Sequence, residues 1–275
     1  MKALISVDME GISGIVHSSE TNPERYDYQR GRELMTAEAN AVIAGVLDAE
    51  PTADVLVADA HGTFRNLLPE QLDRRARLVR GKPRALNMLA GLDEETDAAL
   101  FVGYHVRAGE GPGVLAHTMN GQILDVRVTG RSLGEIGLNA AMAGHLGVPV
   151  VLLSGDDAAC AEAADLIPQA VTVPVKESLG MAAAVTLHPE EARDRLRRAA
   201  ADAVSRRTEI PPLALTGPLD VEADLASPHT IDLAALVPGV SRTAGARTVA
   251  FTAPDYGTAY RLILLLAQLA TIRPA

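Results

Sequence analysis

Two carboxylates one residue apart, Asp8 and Glu10, close the apolar run Ala3-Leu4-Ile5-Ser6-Val7 in the stretch SVDMEG. Side chains two apart on a strand point to one face, so the acids converge on one point if the strand continues that far. Their repulsion is costly unless a cation lies between them. Two further apolar runs end in the same way. Val55-Leu56-Val57-Ala58 leads into DAHG, with Asp59 and His61, and Leu100-Phe101-Val102-Gly103 leads into YHVRAG, with His105. Taken singly, each of these residues reads as a helix cap, a loop acid or a hydrogen-bonded histidine. Two carboxylates and two imidazoles at three successive strand ends, however, are together a ligand set for Zn²⁺ or a similar divalent ion. His117, in the Gly-rich GVLAHTMNG, is open between base, nucleophile and no role. Glu135 follows Ser132 at the capping-box spacing, which on the residues alone assigns it to the N-cap amide.

The elements that must position these groups alternate strand and helix, the pattern of a mostly parallel sheet covered by helices. Strands are predicted at Ala3 to Val7, Asp54 to Ala58, Ala98 to Gly103 and Val148 to Ser154. Between the first two, Leu34, Ala37, Ala41, Ala44 and Leu47 recur at helical spacing. Further helices are predicted from Ser132 as N-cap and from Asp156 or Asp157 as N-cap. Functional groups of open parallel sheets collect at the carboxyl ends of the strands, where the acids and histidines stand. Near residue 185 the texture changes to a charged helix, HPEEARDRLRRAAADAVSRR, and then to the breaker-rich TEIPPLALTGP. The division predicted is an α/β catalytic domain over residues 1–185 and a smaller α+β lobe over 186–275, packed on it. The lobe holds strands at Leu219 to Ala223 and Arg247 to Thr252, a helix at Ile231 to Leu236 and a closing helix from Tyr256. Leu262, Leu265, Leu266 and Leu269 of that last helix are read first as core and second as an interface.

Composition narrows the chemistry. The 275 residues are 48% hydrophobic, enough for a real core, and carry a net charge of -10, which excludes a broad phosphate-binding surface and hence nucleic acid. The single cysteine, Cys160, leaves neither an internal disulfide nor a Cys-based zinc site, so a metal must be held by His, Asp and Glu. The first apolar stretch breaks at Asp8, too early for a signal-peptide core, and Leu262 to Ala270 is too short to span a bilayer. The reading is a cytoplasmic protein with no membrane partner.

The motifs SVDMEGISG, DAHG, GYHVRAG, AHTM and GEIGLNA, in this order and spacing, resemble the binuclear-zinc D-aminopeptidases of peptidase family M55. The resemblance runs by motif from residue 1 to about 160, and more loosely to the C-terminus. It implies two zinc ions per subunit. Asp8 would bridge them, Glu10 would bind one, and His61, His105 and Glu135 would bind the other with Asp8. It replaces the capping role of Glu135 by a metal-ligand role and makes His117 the catalytic residue, nucleophile or base. The implied reaction is hydrolysis of short peptides with an N-terminal D-residue of the D-Ala type. The implied assembly is a decameric ring of two stacked pentamers. HGTFRN and NGQILDVRVTG depart from the family pattern around the site and bear on substrate range. The rival enzyme class is the haloacid-dehalogenase-like phosphatases, whose first motif resembles hhhhDxEG and whose late acidic motif resembles GDDAA. Glu10 in place of a second Asp weakens that reading, and it leaves His61 and His105 without work. A metal-stabilised, non-catalytic binding protein is the third reading.

Overall fold

The computed structural model describes residues 1–243 and 245–272. The chain begins with β1 (Lys2–Val7), α1 (Ser18–Thr21), α2 (Tyr28–Ala49), β2 (Asp54–Asp59), β3 (Arg77–Val79) and β4 (Ala98–Tyr104). It continues through β5 (Ile123–Val128), β6 (Arg131–Ser132), α3 (Glu135–His145), β7 (Val150–Asp156) and α4 (Asp157–Leu166). The remainder is β8 (Val171–Gly180), β9 (Ala183–Thr186), α5 (Pro189–Ser205), β10 (Leu219–Leu225), α6 (Pro228–Ala234), β11 (Ser241–Arg242), β12 (Thr248–Ala253) and α7 (Tyr256–Leu269). One sheet has the order β3-β2-β1-β4-β7-β8-β9 and is parallel except for the β8–β9 hairpin. The other, order β11-β12-β10-β5-β6, is antiparallel throughout. The fold is thus α/β, with a mostly parallel main sheet and a smaller antiparallel lobe.

The alternation of β1 explains how the layers stack. Ala3, Ile5 and Val7 face a core that includes Leu34, Val42 and Val46 of α2 and Leu196 and Ala200 of α5. Leu4 faces the opposite core, with Ile136 and Leu138 of α3, Ala159 and Ala163 of α4, Tyr256 and Tyr260 of α7, and the inner face of the small sheet. The strands β2, β1, β4 and β7 are therefore buried on both faces, which is why their apolar runs are continuous.

The small sheet draws on both sides of residue 185, because β10 pairs with β5 as well as with β12. The charged helix α5 packs on α2 through Ala192, Leu196, Ala200, Ala203 and Val204, so it belongs to the main sheet's layer. In α7, Ile263 and Leu266 are core, while Leu265 is exposed.

Candidate metal centre

The adjacent strands β2, β1 and β4 end side by side and bring their polar residues together. Strand β1 stops at Val7, so Glu10 reaches the site from a tight loop and not from a continuing strand. That loop is pressed onto β4. The Gly11 amide donates to the Gly103 carbonyl at 2.7 Å, and a Cβ on Gly11 would lie 2.0 Å from the Tyr104 carbonyl oxygen. Gly103, at φ +69°, supplies the other half of the close approach, since a Cβ there would meet the Asp8 carbonyl at 2.4 Å.

Asp8, Glu10, His105 and Glu135 are buried, and His117 is half-buried. His61 Nδ1 lies 2.9 Å from Glu10 Oε2 and 3.3 Å from Asp8 Oδ1. His105 Nε2 lies 3.5 Å from Asp8 Oδ2 and 3.3 Å from Glu135 Oε1. His117 Nε2 is 3.7 Å from the same Glu135 oxygen, and its ring stacks on His105 with centroids 4.1 Å apart. Asp8 thus stands between two groups, His61 with Glu10 on one side and His105 with Glu135 on the other.

The far nitrogens of the three imidazoles are all engaged in the same way. His61 Nε2 donates to the Thr21 carbonyl at 2.9 Å, His105 Nδ1 to Val106 at 3.0 Å and His117 Nδ1 to Leu115 at 2.9 Å. Each ring therefore turns its other nitrogen toward the carboxylates, as metal-ligating histidines do. His105 Nε2 is buried with no hydrogen-bond partner among the described residues. Two carboxylates converging on this nitrogen call for positive charge, met by a proton on the ring or by a metal ion, and the nitrogen and oxygen donor set fits a divalent ion. Ligand atoms of Asp8, Glu10 and His105 lie within 4.8 Å of one another, as do those of His105, His117 and Glu135.

The electrostatics express the same demand for positive charge. Burial, and then the Glu10 carboxylate, push Asp8 up to about 8. Burial also opposes ionisation of Glu10 and Glu135, but the imidazoles of His61 and His105 respectively outweigh it and hold both acids low. Burial opposes protonation of His105, yet Glu135 and Asp8 carry it up to about 10. His117 behaves differently: burial, then the neighbouring His105, push it down, so it is the unprotonated imidazole of the group.

The family model of the peptidase M55 D-aminopeptidases matches residues 1–265. The chain belongs to that family. It is a D-aminopeptidase, a hydrolase of the metallopeptidase kind. It is 37% identical over 270 residues to the D-aminopeptidase of Bacillus subtilis (strain 168), covering 98% of each chain. It also superposes on the solved structure of a Zn-dependent D-aminopeptidase from Bacillus subtilis, DppA, described as a self-compartmentalizing protease. That match has TM-score 0.96 and 36% identity and covers 100% of both chains.

Within this M55 fold, Asp59 and Lys176 take places that the sequence reading did not assign, and Glu135 lacks the capping role that its spacing alone suggested. Glu135 is the first residue of α3, and Gly134 is its N-cap, so no capping box forms. Ser132 instead ends β6 and donates its hydroxyl to Asp125 at 3.0 Å, which leaves Glu135 free to accept from the Met119 amide at 2.7 Å and face His105. Asp59, grouped with His61 by spacing, accepts from the amides of Asn66 and Leu67 at 2.5 and 2.7 Å and so shapes the loop that carries His61. Lys176 is buried in β8, and its ammonium donates to the carbonyls of Glu10, Ile12 and Ile15 at 2.5, 3.0 and 2.5 Å, pinning the Glu10 loop from below. The acids of GDDAA serve the backbone. Asp156 accepts from Ala159 and Val114, capping α4, and Asp157 accepts from Ser178, so neither joins Asp8 as a phosphatase motif would require.

Proposed function

We propose that the protein removes an N-terminal D-residue, D-Ala above all, from short peptides at a site that holds two zinc ions. The observation that carries this is the common orientation of His61, His105 and His117, each anchored by one ring N–H and facing carboxylates with the other nitrogen. Asp8 would bridge the ions, with Glu10 and His61 on one side and His105 and Glu135 on the other. This partition moves His61 from the group implied by the resemblance, because its closest acid is Glu10, at 2.9 Å. Three buried carboxylates also suit two dications better than one. When bound, zinc supplies Lewis acidity toward the scissile carbonyl.

The chain's own part is positional and acid–base. His117, kept unprotonated by burial and by His105, offers Nε2 either to attack the carbonyl or to take the proton of an attacking water. The cavity above Asp8, His61, His117 and Glu135 measures about 120 Å³, room for a residue with a small side chain. No helix among the described residues is long and apolar enough to cross a membrane. We place the enzyme in the cytoplasm, as a closed homodecameric ring. The self-compartmentalizing description of the similar Bacillus protein supports such a ring, as do the exposed Leu179, Met181 and Val185 of the β8–β9 hairpin.

One preparation tests the reading: light scattering for the mass, metal analysis per subunit, and rates on D-Ala-D-Ala against its L-isomer. The expected result is a discrete large oligomer with two zinc ions per chain that hydrolyses the D-substrate. Equal rates on both isomers, a single ion per chain or a mass near 28.9 kDa would each remove the corresponding element.

A further inference from the structure

The cavity over the metal ligands shares Lys82, Asn87, Leu264 and Gln268 with an adjoining groove of about 350 Å³, which those four residues line together with Pro83 and Arg84. In a chain of net charge -10 this groove has two cations and no acid among its described lining residues. The two cations differ in what they can still bind. Arg84 is committed to the fold: Nε donates to the Asn87 carbonyl at 2.7 Å, Nη1 to Val79 at 3.2 Å and Nη2 to Asp59. Among the described residues Lys82 donates once, from Nζ to the Gly62 carbonyl at 2.9 Å, and its ammonium sits 5.5 Å from the Phe64 ring centroid. Two of its three N–H groups remain for a ligand. Gly62 follows His61 directly, so the ammonium is tied to the loop that carries a candidate metal ligand, at the junction of cavity and groove.

We propose that Lys82 binds the C-terminal carboxylate of the substrate, making this a peptidase that selects free-acid di- and tripeptides. The inference rests on the aminopeptidase reading above and adds its length rule. A peptide whose first residue fills the inner cavity must lead its remaining residues out toward Lys82. One or two extended residues beyond the scissile bond span about 3.5 Å each, which keeps the carboxylate of a short peptide near the cavity mouth. A longer peptide presents only a neutral carbonyl there and carries its carboxylate past the ammonium. Asn87 and Gln268 beside Lys82 offer amide groups to the same end of the substrate.

The test compares D-Ala-D-Ala with its C-terminal amide on the zinc-loaded enzyme and on Lys82→Met and Lys82→Arg. The unaltered enzyme should favour the acid in kcat/KM by roughly tenfold, mainly through KM, the size of one charge-assisted hydrogen bond at an open site. In Lys82→Met the acid-to-amide ratio should fall to about one, and in Lys82→Arg most of it should return. The ratio cancels any change in folding or zinc content, because both substrates meet the same preparation. A ratio near one in the unaltered enzyme, or one that Lys82→Met leaves intact, overturns the proposal. Failure to cleave either D-substrate would instead overturn the aminopeptidase reading, and the length rule with it.

Discussion

Three carboxylates meet on the small sheet and three meet beside the strand ends of the main sheet, and their fates are opposite. In the small sheet Asp125, Glu222 and Asp224 surround one guanidinium, with Arg127 at 2.6, 2.9 and 2.8 Å from them, at positions still open to water. At the carboxyl ends of the main sheet Asp8, Glu10 and Glu135 are buried, and among the described residues their side-chain ion-pair partners are all histidines. Solvent and a permanent cation satisfy the first set, so it asks for nothing more. The second has had water removed and no permanent cation supplied, a costly arrangement unless an ion completes it. Identical residue types thus make a strut in one place and a ligand cage in the other, and burial decides which.

The largest expected effect lies in the cage. His105→Ala should lose zinc and cut activity by roughly a thousandfold or more, because it removes a nitrogen that faces both Asp8 and Glu135. His117→Ala should lose comparable turnover yet keep its metal, since its role is proton transfer or attack. Metal analysis of the two variants separates the roles. Equal zinc loss in both would merge His117 into the ligand set and undo its assignment as the catalytic group.

The contrast between the sheets was only partly legible in the sequence. The strand ends of β1, β2 and β4 were readable because continuous apolar runs stop abruptly at chemistry-bearing residues, and those three runs sit side by side in the sheet. On spacing alone Glu135 misled, because the short pair β5–β6 hid inside NGQILDVRVTG and Ser132 looked like a cap when it ends a strand; only the family resemblance pointed Glu135 toward the metal site. Lys176 was invisible for a different reason. Val173 and Val175 point inward and Pro174 outward, so strict alternation puts Lys176 in solvent. The register between β7 and β8 shifts at Gly155/Asp156, and this irregularity brings Lys176 inside, under the Glu10 loop. Periodicity cannot reveal a bulge. The joining of β5 to β10 across nearly a hundred residues left no local signal either, so the texture change near residue 185, where β9 closes the main sheet, does not separate the strands of the small sheet.

A second, smaller effect probes burial without touching the ligands. Glu38 of α2 accepts from the Ser13 amide at 2.8 Å through Oε1, while Oε2 is buried without a partner among the described residues. Burial raises its carboxyl from 4.5 to about 7, against the opposing pull of the Ser13 amide and Lys176. Between these values the folded chain keeps a proton that the unfolded chain releases. Stability therefore falls as pH rises through this window, and the full cost is present above about 7. Glu38→Gln should stabilise the protein at pH 8 by up to about 3 kcal/mol and do little near pH 4.5. Urea unfolding of both chains at the two pH values measures this. An equal gain at both would show that the effect is packing and not charge.

The smallest effect belongs to the small sheet, and its pH dependence has the opposite sign. Arg127 is the first cause of the lowered Asp224 carboxyl, so their pairing is present above the ordinary 3.8 and is lost as pH falls through the depressed value. Arg127→Met leaves Asp125, Glu222 and Asp224 facing one another across β5 and β10, while Asp224 keeps the Thr248 hydroxyl at 2.6 Å. Because these groups remain hydrated, the loss at pH 7 should be only about 1 kcal/mol, shrinking in high salt and toward pH 3. Zinc content and turnover should not change, since the ion network lies on the small sheet and no metal-site residue touches it. Denaturant melts at two salt concentrations, with metal analysis on the same samples, make the check. A variant that lost zinc would show that the strut and the cage are mechanically coupled, and a loss of several kcal/mol would show that the strut, too, is held out of water.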